Sequence, residues 1–168
     1  EWDRLDIISR WLIATRAAVL IMTFISAAIA GIMALRVDQF NLLNWALLAL
    51  GWYLAHAPNK LLNDLTDYLR GVDKDNYFRA QYGPQPLTHG FMSTRQSWLY
   101  ASVTGLLALA AGAALVAQWG WAALALLGAG AFFVLFYTFP LKYIGMGEVA
   151  VLLVWGPLMI GGGYYVIT

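Results

Sequence analysis

The chain has 168 residues, of which 61% are hydrophobic and only 11% are charged. Soluble domains carry about 25% charged residues, so this composition argues against a soluble enzyme and indicates an integral membrane protein. The lack of cysteine excludes disulfides and thiolate metal sites. The sequence has no basic stripe with interleaved aromatic residues, so we expect no nucleic-acid partner.

Five apolar segments are long enough to cross a bilayer, since a spanning helix needs about 20 mostly apolar residues. They cover residues 11–35, 40–62, 97–118, 119–140 and 148–168. The link between the third and fourth segments is very short, which predicts a tight helical hairpin. The residues before the first span, Trp2–Ile8, are compatible with an amphipathic interfacial helix or with a frayed terminus. We therefore predict an all-α polytopic membrane helical bundle.

Basic residues concentrate on one side of this predicted bundle. That side holds Arg4, Arg10, Arg70, Lys74, Arg79, Arg95 and Lys142. The opposite side holds Arg36 and no other basic residue. Because cytoplasmic loops are enriched in Lys and Arg, the basic side is predicted to be cytoplasmic. We expect an integral protein of a bacterial or archaeal cytoplasmic membrane.

Carboxylates and an amide cluster at the end of the second apolar segment. If the helix continues through Asp67, then Asp64 and Asp67 share a face, with Asn63 beside them. Gly71 can then end the helix, and Asp73 can fold back toward the pair. Such oxygen ligands suit Mg²⁺, which is usually held by one or two carboxylates together with substrate phosphates. The sequence therefore predicts a Mg²⁺ site on the cytoplasmic side.

Cations surround these carboxylates in the sequence, namely Arg70, Lys74 and Arg79, and Lys142 lies in a loop on the same side. Together they could clamp a diphosphate, with Mg²⁺ bridging from the acidic side. Such a site would stabilise a departing pyrophosphate, on which negative charge grows as the bond breaks. The alternative is a solvated loop whose charges pair with one another and cap the helix.

Three other residues are candidates for contact with a substrate inside the bundle: His56, Tyr143 and Glu148. His56 lies two turns before Asp64 and could contact such a substrate or transfer a proton. It could equally be a helix-packing histidine with a hydrogen-bonded ring. Glu148 lies near the start of the fifth span, where it could cap the helix or line a cavity.

The stretch from Asn63 to Asp73 resembles the first aspartate-rich motif of the UbiA superfamily of intramembrane prenyltransferases. The six-residue spacing from Asp67 to Asp73 resembles more narrowly the branch that prenylates 1,4-dihydroxy-2-naphthoate in menaquinone synthesis. Residues 86–93 are similar to the family segment that leads into the third helix. Residues 137–148 are similar to the segment that joins the fourth and fifth helices, so the resemblance covers nearly all of the chain.

The resemblance implies a bundle of nine helices around a central cavity, of which residues 1–168 would be the N-terminal five-helix portion. It implies that Asp64, Asp67 and Asp73 hold Mg²⁺ and that Asn63 is a polar partner of the metal or diphosphate. The implied partners are a polyprenyl diphosphate, an aromatic acceptor and membrane lipid. The implied reaction transfers the polyprenyl group to the acceptor.

The chain departs from the family pattern at two positions, and no second aspartate-rich motif occurs in residues 1–168. Gln85 stands where the family commonly has Arg, and Lys60 stands where an Asn is common. Lys60 could pair with Asp64 and compete with the metal. An alternative function is therefore a catalytically degenerate membrane subunit that binds a quinone, a lipid or partner helices in a larger complex. A transporter with an ion site here fits less well, because the carboxylates lie at the end of a span.

Overall fold

A computed structural model describes residues 2–72 and 85–168 of the chain. Its helices are α1 (Ile7–Ala14), α2 (Ile21–Arg36), α3 (Leu42–Leu69), α4 (Thr94–Phe136), α5 (Gly147–Leu153) and α6 (Gly162–Ile167). A π-helical segment, Val154–Gly161, joins α5 to α6 so that the three form one rod. These two described ranges contain no β-strand, which confirms the predicted all-α fold.

Three helical stretches are long and apolar enough to cross a membrane: Ala17–Arg36, Thr94–Phe136 and Gly147–Ile167. Their outer faces carry large apolar side chains that are exposed in the isolated chain. Leu106, for example, is 66% exposed and Leu152 is 72% exposed. Such faces are compatible with lipid contact. Together with the length of the helices, they support the prediction of an integral membrane protein.

The sequence predicted one continuous helix over residues 11–35, and this prediction is wrong because the helix is interrupted. The chain leaves α1 after Ala14, and Arg16 adopts a left-handed conformation with φ 51°. A 3-10 turn, Ala17–Leu20, then leads into α2. The break turns the Arg16 side chain toward α3, where its guanidinium meets a carboxylate. The interruption of this apolar helix therefore coincides with the pairing of its one cation, whose side chain is 13% exposed.

Helix α3 carries the predicted carboxylates on a regular helical face. Its N-cap is Asn41, whose side chain accepts a hydrogen bond from the backbone N–H of Asn44. The helix continues past Pro58 to Leu69, so it includes the whole first half of the acidic motif. Gly71 follows with φ 71°, a left-handed conformation that ends the helix at little cost. The predicted extension of this helix through Asp67 is thus confirmed.

Helix α4 is a hairpin of two arms. A straight helix of its 43 residues would extend about 65 Å, more than twice the hydrocarbon core of a bilayer. Gly120 interrupts it with φ 64° and ψ −145°. The arms then pack side by side, since a Cβ placed on Gly112 would lie 2.5 Å from the Leu127 side chain. The predicted hairpin at this position is confirmed.

Two apolar clusters hold the helices together. One joins α2, α3, α4 and α6 through Ala30, Ala34, Leu48, Leu115, Val166 and Ile167. The other joins α1, α3, α4 and the loop before α4 through Ala14, Leu61, Met92 and Ala101. The second cluster lies on the half of α3 that carries the carboxylates, and Leu61 is only 3% exposed. It therefore fixes the helix end on which the polar residues are placed.

Candidate functional site

Three polar side chains are buried on the last two turns of α3. Asn63 and Asp64 are each 7% exposed, and Asp67 is fully buried. Burying ionised carboxylates is costly unless they are paired or bind a cation. The contacts of these residues therefore define the chemistry of the site.

Asp67 is held by the loop between α4 and α5. The Lys142 ammonium lies 2.7 Å from Oδ2 of Asp67, and the Tyr143 hydroxyl donates to Oδ1 at 3.0 Å. Both residues belong to a short 3-10 turn, Leu141–Ile144, that follows Pro140. The turn therefore brings two donors from distant sequence onto one buried carboxylate.

Asn63 extends the same network through its side-chain oxygen. This oxygen accepts from Lys142 Nζ at 3.2 Å and from the hydroxyl of Thr138 at 3.4 Å. Thr138 is 3% exposed. Sequence reasoning did not identify Thr138, because nothing in its local sequence distinguishes it from a threonine at a helix end.

Asp64 faces two other cations. Its Oδ1 lies 3.3 Å from Nη2 of Arg16 and 3.9 Å from Nζ of Lys60. The predicted pairing of Lys60 with Asp64 is therefore present. Within the described parts of the chain, no donor reaches the buried Oδ2 of Asp64. The role of Arg16 was missed, although an isolated arginine inside an apolar segment is a signal that a buried partner exists.

Arg70 is turned toward aromatic rings. Its guanidinium carbon lies 4.1 Å from the ring centre of Phe139 and 4.6 Å from that of Tyr143. Such cation–π contacts attach the end of α3 to the α4–α5 loop. Arg70 thus lies beside the carboxylate site, where its guanidinium packs on the face of the Tyr143 ring.

The three residues predicted to contact an aromatic or prenyl substrate lie in different parts of the structure. His56 contacts the Thr23 hydroxyl of α2 through Nδ1 at 2.8 Å, and its ring meets Trp155 edge-on with centroids 5.6 Å apart. His56 is half-buried on the side of α3 that faces α2 and the π-helical segment. Glu148 is exposed in the first turn of α5. Of the three, only Tyr143 touches the carboxylate site directly.

Gln85, at the position where the resemblance implies an arginine, is buried with 4% exposure. Its side-chain nitrogen meets no acceptor within residues 2–72 and 85–168. The backbone N–H of Gln85 donates to Nδ1 of His89, which is exposed. Gln85 is thus a packed loop residue without a cationic group.

Three predicted site residues, Asp73, Lys74 and Arg79, lie outside the described residues. Among the described residues, no group of three or more His, Asp or Glu side chains could hold a metal ion. The Asp64 and Asp67 pair nevertheless fits Mg²⁺, which needs one or two carboxylates and takes its other ligands from water and phosphate. The buried Oδ2 of Asp64, which accepts no hydrogen bond from the described residues, could serve as an oxygen ligand.

The fold and the site together define a membrane-embedded helical protein with a buried, cation-lined carboxylate pair. The sequence profile of the UbiA prenyltransferase family matches residues 19–168. The chain belongs to this family, whose members transfer prenyl groups to aromatic acceptors. Comparisons with curated proteins and with solved structures gave no significant match.

Proposed function

We propose that this protein transfers a polyprenyl group from a prenyl diphosphate to an aromatic acceptor, in a Mg²⁺-dependent reaction of isoprenoid quinone biosynthesis. The proposed acceptor is 1,4-dihydroxy-2-naphthoate or a close relative, as in menaquinone synthesis. The observation that carries the proposal is the buried pair of Asp64 and Asp67, with three cationic side chains against it. Membership of the family supports the general reaction, and the motif spacing supports the naphthoate branch.

The carboxylates would hold the cation, and the basic residues would hold the diphosphate. Asp64 and Asp67 would be ligands of Mg²⁺, with Asp73 as the proposed third and Asn63 as a polar partner. When bound, Mg²⁺ would neutralise charge that develops on the leaving diphosphate. Lys142, with Arg70, Lys74 and Arg79, would contact the diphosphate oxygens. Lys142 is the best placed of the described cations, because its ammonium already lies between Asn63 and Asp67.

The bond between the allylic carbon and the diphosphate oxygen would break, and its electron pair would leave with the diphosphate. An electron-rich carbon of the acceptor would then form the new carbon–carbon bond. The ring would regain aromaticity by releasing the proton, or the carboxyl group as carbon dioxide, that this carbon carried. Burial of the site supports this chemistry, since an allylic cation exposed to water would be hydrolysed.

The acceptor would lie on the membrane side of the carboxylates. His56 is eight residues before Asp64 on α3, a rise of about 12 Å. Thr23 fixes one ring nitrogen of His56, and Trp155 offers an aromatic ring edge beside it. We propose that His56 contacts the acceptor, and that Tyr143 and Glu148 lie nearer to the diphosphate entrance. The carboxylate end of α3 is proposed to face the cytoplasm.

A second candidate is a subunit that binds a quinone, a lipid or partner helices without catalysis. The observation that favours it is the pairing of both carboxylates with cations of the chain itself. Arg16 and Lys60 contact Asp64, while Lys142 contacts Asp67. Such internal ion pairs stabilise a bundle without any metal.

An in vitro transfer assay tests the proposal. The purified full chain is incubated with geranylgeranyl diphosphate and 1,4-dihydroxy-2-naphthoate, with Mg²⁺ or with EDTA, and the product is identified by mass spectrometry. We expect a prenylated product only with Mg²⁺, and a rate about a hundredfold lower in Asp64→Asn.

Asp38→Asn is the matched control, because Asp38 is an exposed carboxylate in the loop after α2 and its left-handed φ of 54° suits Asn. Its rate should equal that of the wild type. If the folded wild type forms no product with any aromatic acceptor and yet binds a quinone, the subunit function replaces the enzymatic one.

A further inference from the structure

The α4–α5 loop places two donors on one carboxylate of α3. Asp67 is fully buried, and its two oxygens accept from Lys142 at 2.7 Å and Tyr143 at 3.0 Å. Lys142 is less enclosed than its partner, since its side chain is 35% exposed while that of Asp67 is 0% exposed. The lysine can therefore move away from this contact, whereas the aspartate cannot.

An ammonium and a divalent cation on the same carboxylate oxygen repel each other and compete for its negative charge. Mg²⁺ binds its oxygen ligands at about 2.0–2.1 Å and demands nearly octahedral geometry. The Lys142 nitrogen lies on Oδ2 of Asp67 at hydrogen-bond distance, where it would repel the divalent ion strongly. Binding of the metal to this oxygen of Asp67 therefore favours departure of Lys142 from it.

Asn63 gives the displaced lysine a nearby alternative. Its side-chain oxygen already accepts from Lys142 at 3.2 Å and is held by the hydroxyl of Thr138. A small rotation of the lysine side chain would thus keep one hydrogen bond while releasing Asp67. The ammonium would then be directed at whatever anion the metal brings with it.

We propose that Lys142 is an exchangeable counter-ion of Asp67: it neutralises the carboxylate until Mg²⁺ binds, and then moves to the diphosphate. The inference rests on the proposed function, because it needs Asp67 to be a metal ligand. It assigns Lys142 a positioning role before it contacts the substrate. It also couples the α4–α5 loop to the metal, because the same exchange loosens the contact of the loop with α3.

The exchange has an unusual signature. Binding of Mg²⁺ and binding of Lys142 to Asp67 oppose each other, so removing the lysine must strengthen metal binding. The same change must weaken binding of the diphosphate, which loses a cationic partner. A lysine that served only as a diphosphate ligand would show the second effect without the first.

Isothermal titration with MgCl₂ alone, on the full chain in detergent, tests the exchange. We expect Lys142→Met to lower the Kd for Mg²⁺ about tenfold, the size expected for losing one competing charge-assisted hydrogen bond. With saturating Mg²⁺, the Kd of the same variant for inorganic pyrophosphate should rise. Lys142→Arg should behave like the wild type, and Arg95→Met, which removes an exposed cation in the first turn of α4, should change neither constant.

The failures are distinguishable. If the wild type binds Mg²⁺ and Lys142→Met binds it no more tightly, the exchange is wrong and the proposed enzyme stands. If neither protein binds Mg²⁺, with or without pyrophosphate, then Asp67 is not a metal ligand and the proposed function falls with the exchange.

A measurement on the wild type covers the case in which Lys142→Met does not fold. The reactivity of Lys142 toward an amine-specific reagent is followed by peptide mass spectrometry. We expect Mg²⁺ to increase modification of Lys142, and inorganic pyrophosphate to decrease it again. Modification that does not respond to Mg²⁺ would overturn the exchange.

Discussion

Replacing Arg16 with Met tests whether the break between α1 and α2 serves the carboxylate site. The guanidinium lies 3.3 Å from Asp64, and the two side chains are only 13% and 10% exposed. A hydrogen bond to a charged group contributes about 1.5–3 kcal/mol. Lys60 remains 3.9 Å from the same oxygen, so we expect a loss near the middle of that range, about 2 kcal/mol.

The assay is thermal unfolding of the purified protein in detergent. For a chain of this size, about 2 kcal/mol lowers Tm by about 4–8 °C. A double-mutant cycle with Asp64→Asn isolates the pair, and we expect a coupling of about 1 kcal/mol or more. Arg36→Met is the matched control, since Arg36 is exposed in the last turn of α2, and it should shift Tm by less than about 2 °C. An unchanged Tm for Arg16→Met, or additive effects in the cycle, would refute this reasoning.

Further predictions concern helix packing and the acceptor. Gly163→Ala should cost about 1–3 kcal/mol of unfolding free energy, because the new Cβ would lie 2.5 Å from the Trp52 ring. Gly128→Ala is the control, since its Cβ would meet nothing within 4 Å. The control should be neutral or slightly stabilising in the same unfolding assay. Gly120→Ala should lower the free energy of unfolding by about 1–3 kcal/mol, because φ 64° with ψ −145° strains a residue that has a Cβ. Equal stability of the variant and the wild type would show that the turn does not need a glycine. His56→Leu should raise KM for the naphthoate acceptor about tenfold while KM for the prenyl diphosphate stays the same. Equal changes in both KM values would show that His56 packs the helices and does not contact the acceptor.

Local sequence patterns predicted the helices that carry the site. The i, i+3 spacing of Asp64 and Asp67 on one helical face, and the end of α3 near Gly71, follow from helix periodicity and glycine conformation. The hairpin at Gly120 follows from two adjacent apolar segments that are each long enough to span a bilayer. These features depend on residues close together in the chain, so sequence was sufficient.

The partners of the carboxylates depend on residues far apart in the chain. Arg16 reaches Asp64 from 48 positions away, and Thr138 reaches Asn63 from 75 positions away. Neither contact leaves a periodic signal in the sequence. The cost of burying a lone cation predicts that Arg16 needs a partner, but only the packing of α1 and α2 against α3 identifies it as Asp64. Lys142 was predicted as a diphosphate ligand, yet its direct contact with Asp67 emerges only from the folded loop.

The most direct test of the central claim is the Mg²⁺-dependent prenyl transfer rate of Asp67→Asn, measured beside Asp38→Asn and the wild type under identical conditions. Asp67→Asn preserves the shape of the side chain and removes the charge that would bind the metal. A fall of about a hundredfold or more in the rate of Asp67→Asn, with Asp38→Asn at the wild-type rate, is the predicted result. Equal rates in all three folded proteins would contradict the assignment of this buried carboxylate pair as the site of transfer.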